Sequence, residues 1–174
     1  MRRALPPVLV LALASALATS ALAGGTGGIG TGGEGSGTGD TTTEDHVFPV
    51  PAKHTYGDGY GAGRGHEGQD IFARCGKRIL AARRGRVKYR GRQAAAGNYV
   101  VINGAGTPRD YAYLHLQSKA FVKVGQRVRT GELIGRVGDT GNSSGCHLHS
   151  ELWRGDWNGR PDVTRKLRAW DKYS

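Results

Sequence analysis

Aromatic residues are scarce in this chain, 7% of 174 residues, methionine occurs once, and past residue 23 there is no long apolar run. The lack of such runs excludes a polytopic membrane protein, in keeping with a mean hydropathy of −0.46. Acidic side chains are also few, 14 against 25 Lys and Arg, a net charge of +11. That imbalance favours polyanionic partners: nucleic acid, anionic lipid or bacterial wall polymers. Cysteine is limited to Cys75 and Cys146, enough for a single disulfide outside the cytosol. The length leaves room for one domain of ordinary size with appendages and excludes a multidomain enzyme. Glycine is the abundant residue, with 30 copies, gathered in one tract and spread through many turns.

Compartment is read from the N-terminus. Arg2 and Arg3 precede an apolar stretch from Leu5 to Leu17, broken by Pro6 and Pro7, and Ala21-Leu22-Ala23 is a small-x-small cleavage site before Gly24. Residues 1–23 are therefore expected to be a secretory signal peptide. An uncleaved anchor needs about 20 unbroken apolar residues, and Ser15, Thr19 and Ser20 dilute this segment. Cleavage removes Arg2 and Arg3, leaving 23 basic against 14 acidic side chains, a net +9 and no stable membrane insertion. Residues 24–45, rich in Gly and Thr, have almost nothing apolar to bury and are expected to be a flexible linker. Its reach is on the order of 25 Å. A phosphate-binding glycine loop would end in Lys-Ser/Thr after a strand, and neither is present.

From His46 onward, β-branched and apolar segments alternate with turn signals. Strands are expected over 78–82, 85–90, 98–103, 111–116, 132–137 and 147–153, bounded by pairs such as Asn103-Gly104 and Gly138-Asp139. One weak helical pattern lies at 163–170. Connections this short cannot house crossover helices, so residues 46–170 are expected to form an all-β, antiparallel domain, followed by a tail at 171–174.

Six histidines carry the chemistry: His46, His54, His66, His115, His147 and His149. His66 and Asp70 stand four residues apart in His66-Glu67-Gly68-Gln69-Asp70, where glycines disfavour a helix. A turn at His66 leading into a strand at Asp70 can still aim both at one ion. Alternation along a strand sends His147 and His149 to one face and Leu148 to the other. Two neutral imidazoles facing a common point suit a metal, or one ligand beside one acid/base. The same alternation places His115 on a face with Tyr111 and Tyr113, the setting of a packed histidine.

In order, His-x3-Asp, a strand histidine and His-x-His resemble the zinc metallopeptidases of the lysostaphin or LytM type, family M23. The resemblance covers residues 46–170: Phe48-Pro49-Val50, the Gly65–Ile71 motif, Gly97-Asn98-Tyr99-Val100-Val101-Ile102, Tyr113-Leu114-His115-Leu116, Gly131-Glu132-Leu133-Ile134-Gly135 and the Gly138–His149 motif. It implies an antiparallel two-sheet domain with an open groove over a zinc site. It implies one Zn²⁺ held by His66, Asp70 and His149, with His115 and His147 as catalytic groups on the open side of the ion. Tyr60, in the glycine loop before His66, matches a tyrosine that in some relatives donates to the developing oxyanion. The H-E-x-x-H signature is absent, so Glu67 is not expected to be the base. His46 and His54 match no motif and are expected at the surface or groove without a role. Where the family commonly has an aromatic residue after the last ligand, this chain has Ser150, so Trp153 or Trp157 is expected to fill the facing core position.

The resemblance further implies a secreted, cell-wall-associated monomer acting on bacterial peptidoglycan, drawn also to anionic wall polymers. The rival is a non-catalytic relative that binds wall or activates a separate hydrolase; the filled ligand positions favour the enzyme. Nucleic acid is not an expected partner, because the densest basic run, from Arg83 to Arg92, has little aromatic interleaving. Once Asp70 and His149 are taken to converge on one ion, Cys75 and Cys146 lie close to converging segments and are expected to form a disulfide. Two free buried cysteines, or zinc ligation by Cys146, are the alternatives.

Overall fold

The computed structural model describes residues 45–63, 65–155 and 159–174. The signal-peptide segment, nearly all of the linker, and Trp157 lie outside the described residues. Nine strands follow in chain order: β1 (Thr55–Tyr56), β2 (Gln69–Phe72), β3 (Arg78–Leu80), β4 (Gly85–Gln93), β5 (Gly97–Gly104), β6 (Arg109–Leu116), β7 (Arg127–Val128), β8 (Leu133–Arg136) and β9 (His147–Arg154). A single helix, α1 (Thr164–Trp170), comes last. Seven strands form one sheet in the order β1-β2-β9-β6-β5-β4-β7, while β3 and β8 form a second, and every strand pairing is antiparallel. Among the described residues no helix is long and apolar enough to cross a membrane.

The core follows from period-two alternation. Val87 of β4, Val100 and Ile102 of β5, Tyr111 and Tyr113 of β6, and Leu148 and Leu152 of β9 point to one side of the large sheet. There they meet Ile79 and Ile134 from the small sheet, Phe48 and Val50 from the entering chain, and Leu167 of α1. Leu148 and Leu152 are fully buried, so truncating either to alanine costs about 2–5 kcal/mol. β9 is the pivotal strand: it lies between β2 and β6, and all its residues from His147 to Trp153 are buried. Its second face, opposite the core, carries His147, His149, Glu151 and Trp153.

Three expectations change here. Trp153 does not fill the space facing Ser150. It lies on the other face of β9, against Val101 and Ala112, while Gln69 and Tyr113 stand directly opposite Ser150. His46 and His54 are structural rather than surface or groove residues. His46 stacks on Trp170 with ring centroids 4.4 Å apart and hydrogen-bonds the Tyr111 hydroxyl at 2.8 Å. The His54 side chain is buried and bonds Asp171 Oδ2 at 3.1 Å, which also accepts the Tyr56 hydroxyl at 2.9 Å. Asp171 thus fastens the chain beyond α1 to the entering segment.

Candidate metal centre and active-site cleft

Strand register assembles the first part of the site. β2 and β9 pair with Asp70 opposite His149 and Phe72 opposite His147, and Leu114 of β6 faces His149 from the other flank. Opposed residues of an antiparallel pair share a face, so Asp70, His147 and His149 emerge together on the side away from the core. Gly68 makes this close approach feasible. A Cβ there would stand 2.5 Å from the Ser150 carbonyl oxygen and 2.6 Å from His149 Nε2.

His66 joins from the turn before β2. Its Nε2 lies 3.2 Å from Asp70 Oδ1, and His149 Nδ1 lies 2.8 Å from the same oxygen. Ligand atoms of His66, Asp70 and His149 all fall within 4.8 Å of one another. Each imidazole is held from behind by its other nitrogen: His66 Nδ1 donates to the Gly59 carbonyl at 3.0 Å, and His149 Nε2 to Glu151 Oε1 at 2.9 Å. Such outer hydrogen bonds set ring orientation at metal sites. Two imidazole nitrogens and one carboxylate oxygen, backed in this way, fit the donor set of a catalytic zinc site with one position left for water or substrate.

Electrostatics agree with a cation at this point. Burial disfavours a charge on His149, yet its hydrogen bonds to Asp70 and Glu151 push its pKa up to about 9 in the metal-free protein. Burial likewise opposes the charge of Asp70, but the hydrogen bond from His149 and the fields of His149, His147 and His66 hold its carboxyl below the ordinary range. The pocket between Asp70 and Glu151 therefore favours positive charge. Glu151 is itself anchored, accepting from Trp153 Nε1 and lying 3.2 Å from Arg160 Nε, while Arg160 also pairs with Glu67.

His115 departs from the alternation expected of its strand. Between the pairs Val100↔Tyr113 and Asn98↔Leu116, β6 carries one residue more than β5, a β-bulge. His115 there takes φ of 61°, and among the described residues no other non-glycine has a positive φ. Tyr111, Tyr113 and Leu116 remain in the core, while the His115 ring swings to the opposite face, its centroid 4.7 Å from that of His147 and 5.9 Å from that of His149. A strained backbone at such a place points to function.

The two further histidines are also pinned. His115 Nδ1 donates to the Thr140 carbonyl at 2.8 Å and His147 Nδ1 to the Gly145 carbonyl at 2.8 Å. Each is left with Nε2 as its available nitrogen, and that of His147 lies 3.6 Å from Asp70 Oδ1. Burial lowers the pKa of His115, more than its bond to Thr140 restores, and the neighbouring His147 and His149 lower it further. It is thus neutral at pH 7 and suited to accept a proton. The Thr140 loop is itself tightly placed: Thr140 Oγ1 donates to the Leu116 carbonyl at 2.8 Å and accepts from the Asn98 N–H at 2.9 Å. Gly97, at φ of 62°, lets it approach; a Cβ there would stand 2.2 Å from the Thr140 carbonyl oxygen.

All five residues line one open cleft of about 520 Å³, with Glu67, Leu114, Ser143 and Arg160 on its walls. Cys75 and Cys146 are joined as a disulfide, Cα atoms 5.2 Å apart across a separation of 71 residues. The bridge ties the turn after β2 to the residue that precedes His147. Tyr60 is not brought into this cleft lining; it is exposed, with its N–H donating to Thr164 Oγ1 at 3.2 Å.

Two supporting residues escape a reading of the sequence by motif. Glu151 had a signal, since it lies two residues past His149 and so on the same strand face. Gln69 had a fainter one, a polar residue at a position that alternation sends into the core. It is fully buried, and the two N–H groups of its Nε2 are shared among the carbonyls of Gly57, Asp58 and Asp70 at 3.2, 3.1 and 2.9 Å. It thereby holds the segment whose Gly59 carbonyl orients His66.

Comparison with known proteins agrees with this geometry. The profile of peptidase family M23 matches residues 64–161. The chain is 34% identical over 149 residues to the L-Ala--D-Glu endopeptidase of Bacillus subtilis strain 168, covering 74% of this chain and 45% of that protein. It is 42% identical over 89 residues to the peptidoglycan DD-endopeptidase ShyC of Vibrio cholerae, covering 51% of this chain and 20% of that one. The chain therefore spans less than half the length of either curated relative. Among solved structures, the catalytic domain of the antimicrobial peptidase lysostaphin from Staphylococcus simulans is similar with a TM-score of 0.62 and 30% identity, over 66% of this chain and 92% of that one. A zinc-containing peptidase from Vibrio cholerae is similar with a TM-score of 0.58 and 29% identity, over 68% of this chain and 39% of that one.

Proposed function

The chain belongs to peptidase family M23, and we propose that it is a secreted zinc endopeptidase that hydrolyses peptide bonds of bacterial peptidoglycan, in the stem peptide or the cross-bridge. The observation that carries the reading is the convergence of His66, Asp70 and His149 ligand atoms within 4.8 Å, with His115 and His147 beside them in one cleft. The names of the Bacillus and Vibrio relatives support the wall substrate, and the zinc-containing structural relative supports the metal. The pattern of residues 1–23 supports secretion.

In this reading His66 Nε2, Asp70 Oδ1 and His149 Nδ1 would hold one zinc per chain, and His149 would have to lose its extra proton to serve as a ligand. Bound zinc supplies a Lewis acid that activates water near neutral pH and polarises the scissile carbonyl. His115, neutral and pinned through Nδ1, takes the proton from the attacking water at Nε2 and passes it to the leaving amine. His147, pinned in the same way, would stabilise the developing oxyanion through Nε2 in its doubly protonated form, where Nδ1–H still holds the Gly145 carbonyl and Nε2–H is free to donate. Tyr60, on the glycine loop before His66, is the candidate for an additional oxyanion donor, although it is exposed and outside the cleft lining. Tyr60→Phe tests this through a loss in kcat with zinc content unchanged.

The experiment is mass spectrometry of products from a defined muropeptide set, with purified wall and an unstructured protein in parallel, each with and without a chelator. Chelator-sensitive peptide products from muropeptides and wall are expected. Wall binding without products would favour a non-catalytic module, and equal cleavage of the unstructured protein would remove the wall specificity.

A further inference from the structure

A second cleft, of about 800 Å³, lies at the far edge of the large sheet, lined by Arg84, Arg86, Arg127 and Arg129 with Asn103 and Glu132 among the other walls. In strand order β6 and β5 stand between it and the strand that carries His147 and His149. All four arginines are exposed. The β4–β7 register sets Arg86 directly opposite Arg127, and like charges directly opposite one another destabilise a strand pair. In the lining four guanidinium groups stand against one carboxylate. Glu132 is the lone carboxylate of the lining, and its oxygens already accept from the Arg129 backbone N–H at 2.9 Å and Gln126 Nε2 at 3.3 Å. Arg86 donates to the Gly125 carbonyl at 2.6 Å, and among the described residues none of the four arginines forms an ion pair.

We propose that this arginine cleft docks the phosphodiester chain of an anionic wall polymer. The proposal rests on the cell-wall reading above and gives that reading a specific anchoring surface. Guanidinium forks match phosphate oxygens bidentately. Four of them, Arg86 and Arg127 on the paired strands β4 and β7 and Arg84 and Arg129 at the ends of those strands, suit charges repeated along a chain better than a single small anion. Single-stranded nucleic acid is disfavoured by the lining, which contains no aromatic side chain for bases to stack on.

The test measures binding of purified poly(glycerol phosphate) to the metal-loaded protein, beside inorganic phosphate and single-stranded DNA of equal charge. The comparison is with the Arg86→Ala/Arg127→Ala variant, whose substitutions are exposed and far from the histidine cleft. Wild type is expected to bind the polymer and to lose about tenfold or more when NaCl rises from about 50 to about 200 mM. The variant is expected to bind at least about tenfold more weakly, with a shallower salt slope, since two contacts are gone. Its cleavage of a short soluble peptide should match wild type, which also shows that it folds. Equal polymer binding by variant and wild type overturns the proposal, as does DNA binding as tight as that of the polymer, or binding of inorganic phosphate just as tight. Failure of wild type to cut the soluble peptide would strike at the peptidase reading instead and leave the polymer measurement readable.

Discussion

The ring of His115 lies 4.7 Å, centroid to centroid, from that of His147, although plain strand alternation would put the two on opposite faces of the sheet. The relation exists because β6 bulges by one residue at a left-handed His115. A non-glycine residue in that conformation costs about 1–2 kcal/mol, less for histidine than for most residues. His115→Gly is therefore expected to be more stable than His115→Ala by about 1 kcal/mol, the reverse of the usual order for these residues within a strand. Chemical denaturation of the two variants measures it. Greater stability of the alanine variant would mean that the bulge relaxes when the histidine is removed.

The bulge also marks where sequence reading stopped. Strand alternation alone set His147 and His149 on one face; the convergence of Asp70 with His149 was an implication of the family resemblance, because the β2–β9 register that opposes them joins segments far apart in the chain and is not written in residue spacing. His66 entered the ligand set through the same resemblance, since a turn leading into a strand lets His66 and Asp70 share an ion without requiring it. The exit of His115 from its strand pattern depends on one extra residue against β5 and on the loop carrying Thr140, neither of which leaves a local signature. For the same reason β7, two residues long, was not separable from its loop, and His54 gave no sign of its partner Asp171, 117 residues away. Most of the strands, by contrast, were set by their own β-branched runs.

Glu151 holds His149 from behind, so with zinc as the proposed metal Glu151→Gln is expected to weaken zinc binding by about 10–100-fold while the ligands themselves remain. Competition with a zinc chelator of known affinity reads this out. Unchanged affinity would show that the His149–Glu151 bond does not orient the ligand.

The Cys75–Cys146 bridge closes a loop whose ends are 71 residues apart. In the loop-entropy model it stabilises the domain by roughly 4 kcal/mol. Reduction should lower the melting temperature and loosen zinc retention, because the bridge ends one residue before His147. Thiol titration of the unfolded, unreduced protein should find no reactive thiols. Two per chain would refute the bridge.

Asp171 gives a pH signature to stability. Its carboxyl is held below the ordinary range: burial opposes its charge, but the Tyr173 N–H, the Tyr56 hydroxyl and the nearby His54 outweigh that effect. A depressed folded pKa contributes stability that is present above the unfolded value of about 3.9 and is lost as the pH falls through the folded one. Asp171→Asn should thus lower the melting temperature near pH 7, with about 1–3 kcal/mol lost from its buried hydrogen bonds. The gap to wild type should shrink below about pH 4. A gap that is constant from neutral to acid pH would separate Asp171 from the acid side of the stability curve.

The division of the five cleft residues into metal ligands and proton-transfer groups is tested most directly by the zinc content of His149→Ala beside His115→Ala after mild dialysis. The account predicts one zinc per chain in wild type and in His115→Ala, the latter slower in turnover by about 10²–10⁴-fold, and no zinc in His149→Ala. Loss of zinc from His115→Ala as readily as from His149→Ala would contradict it.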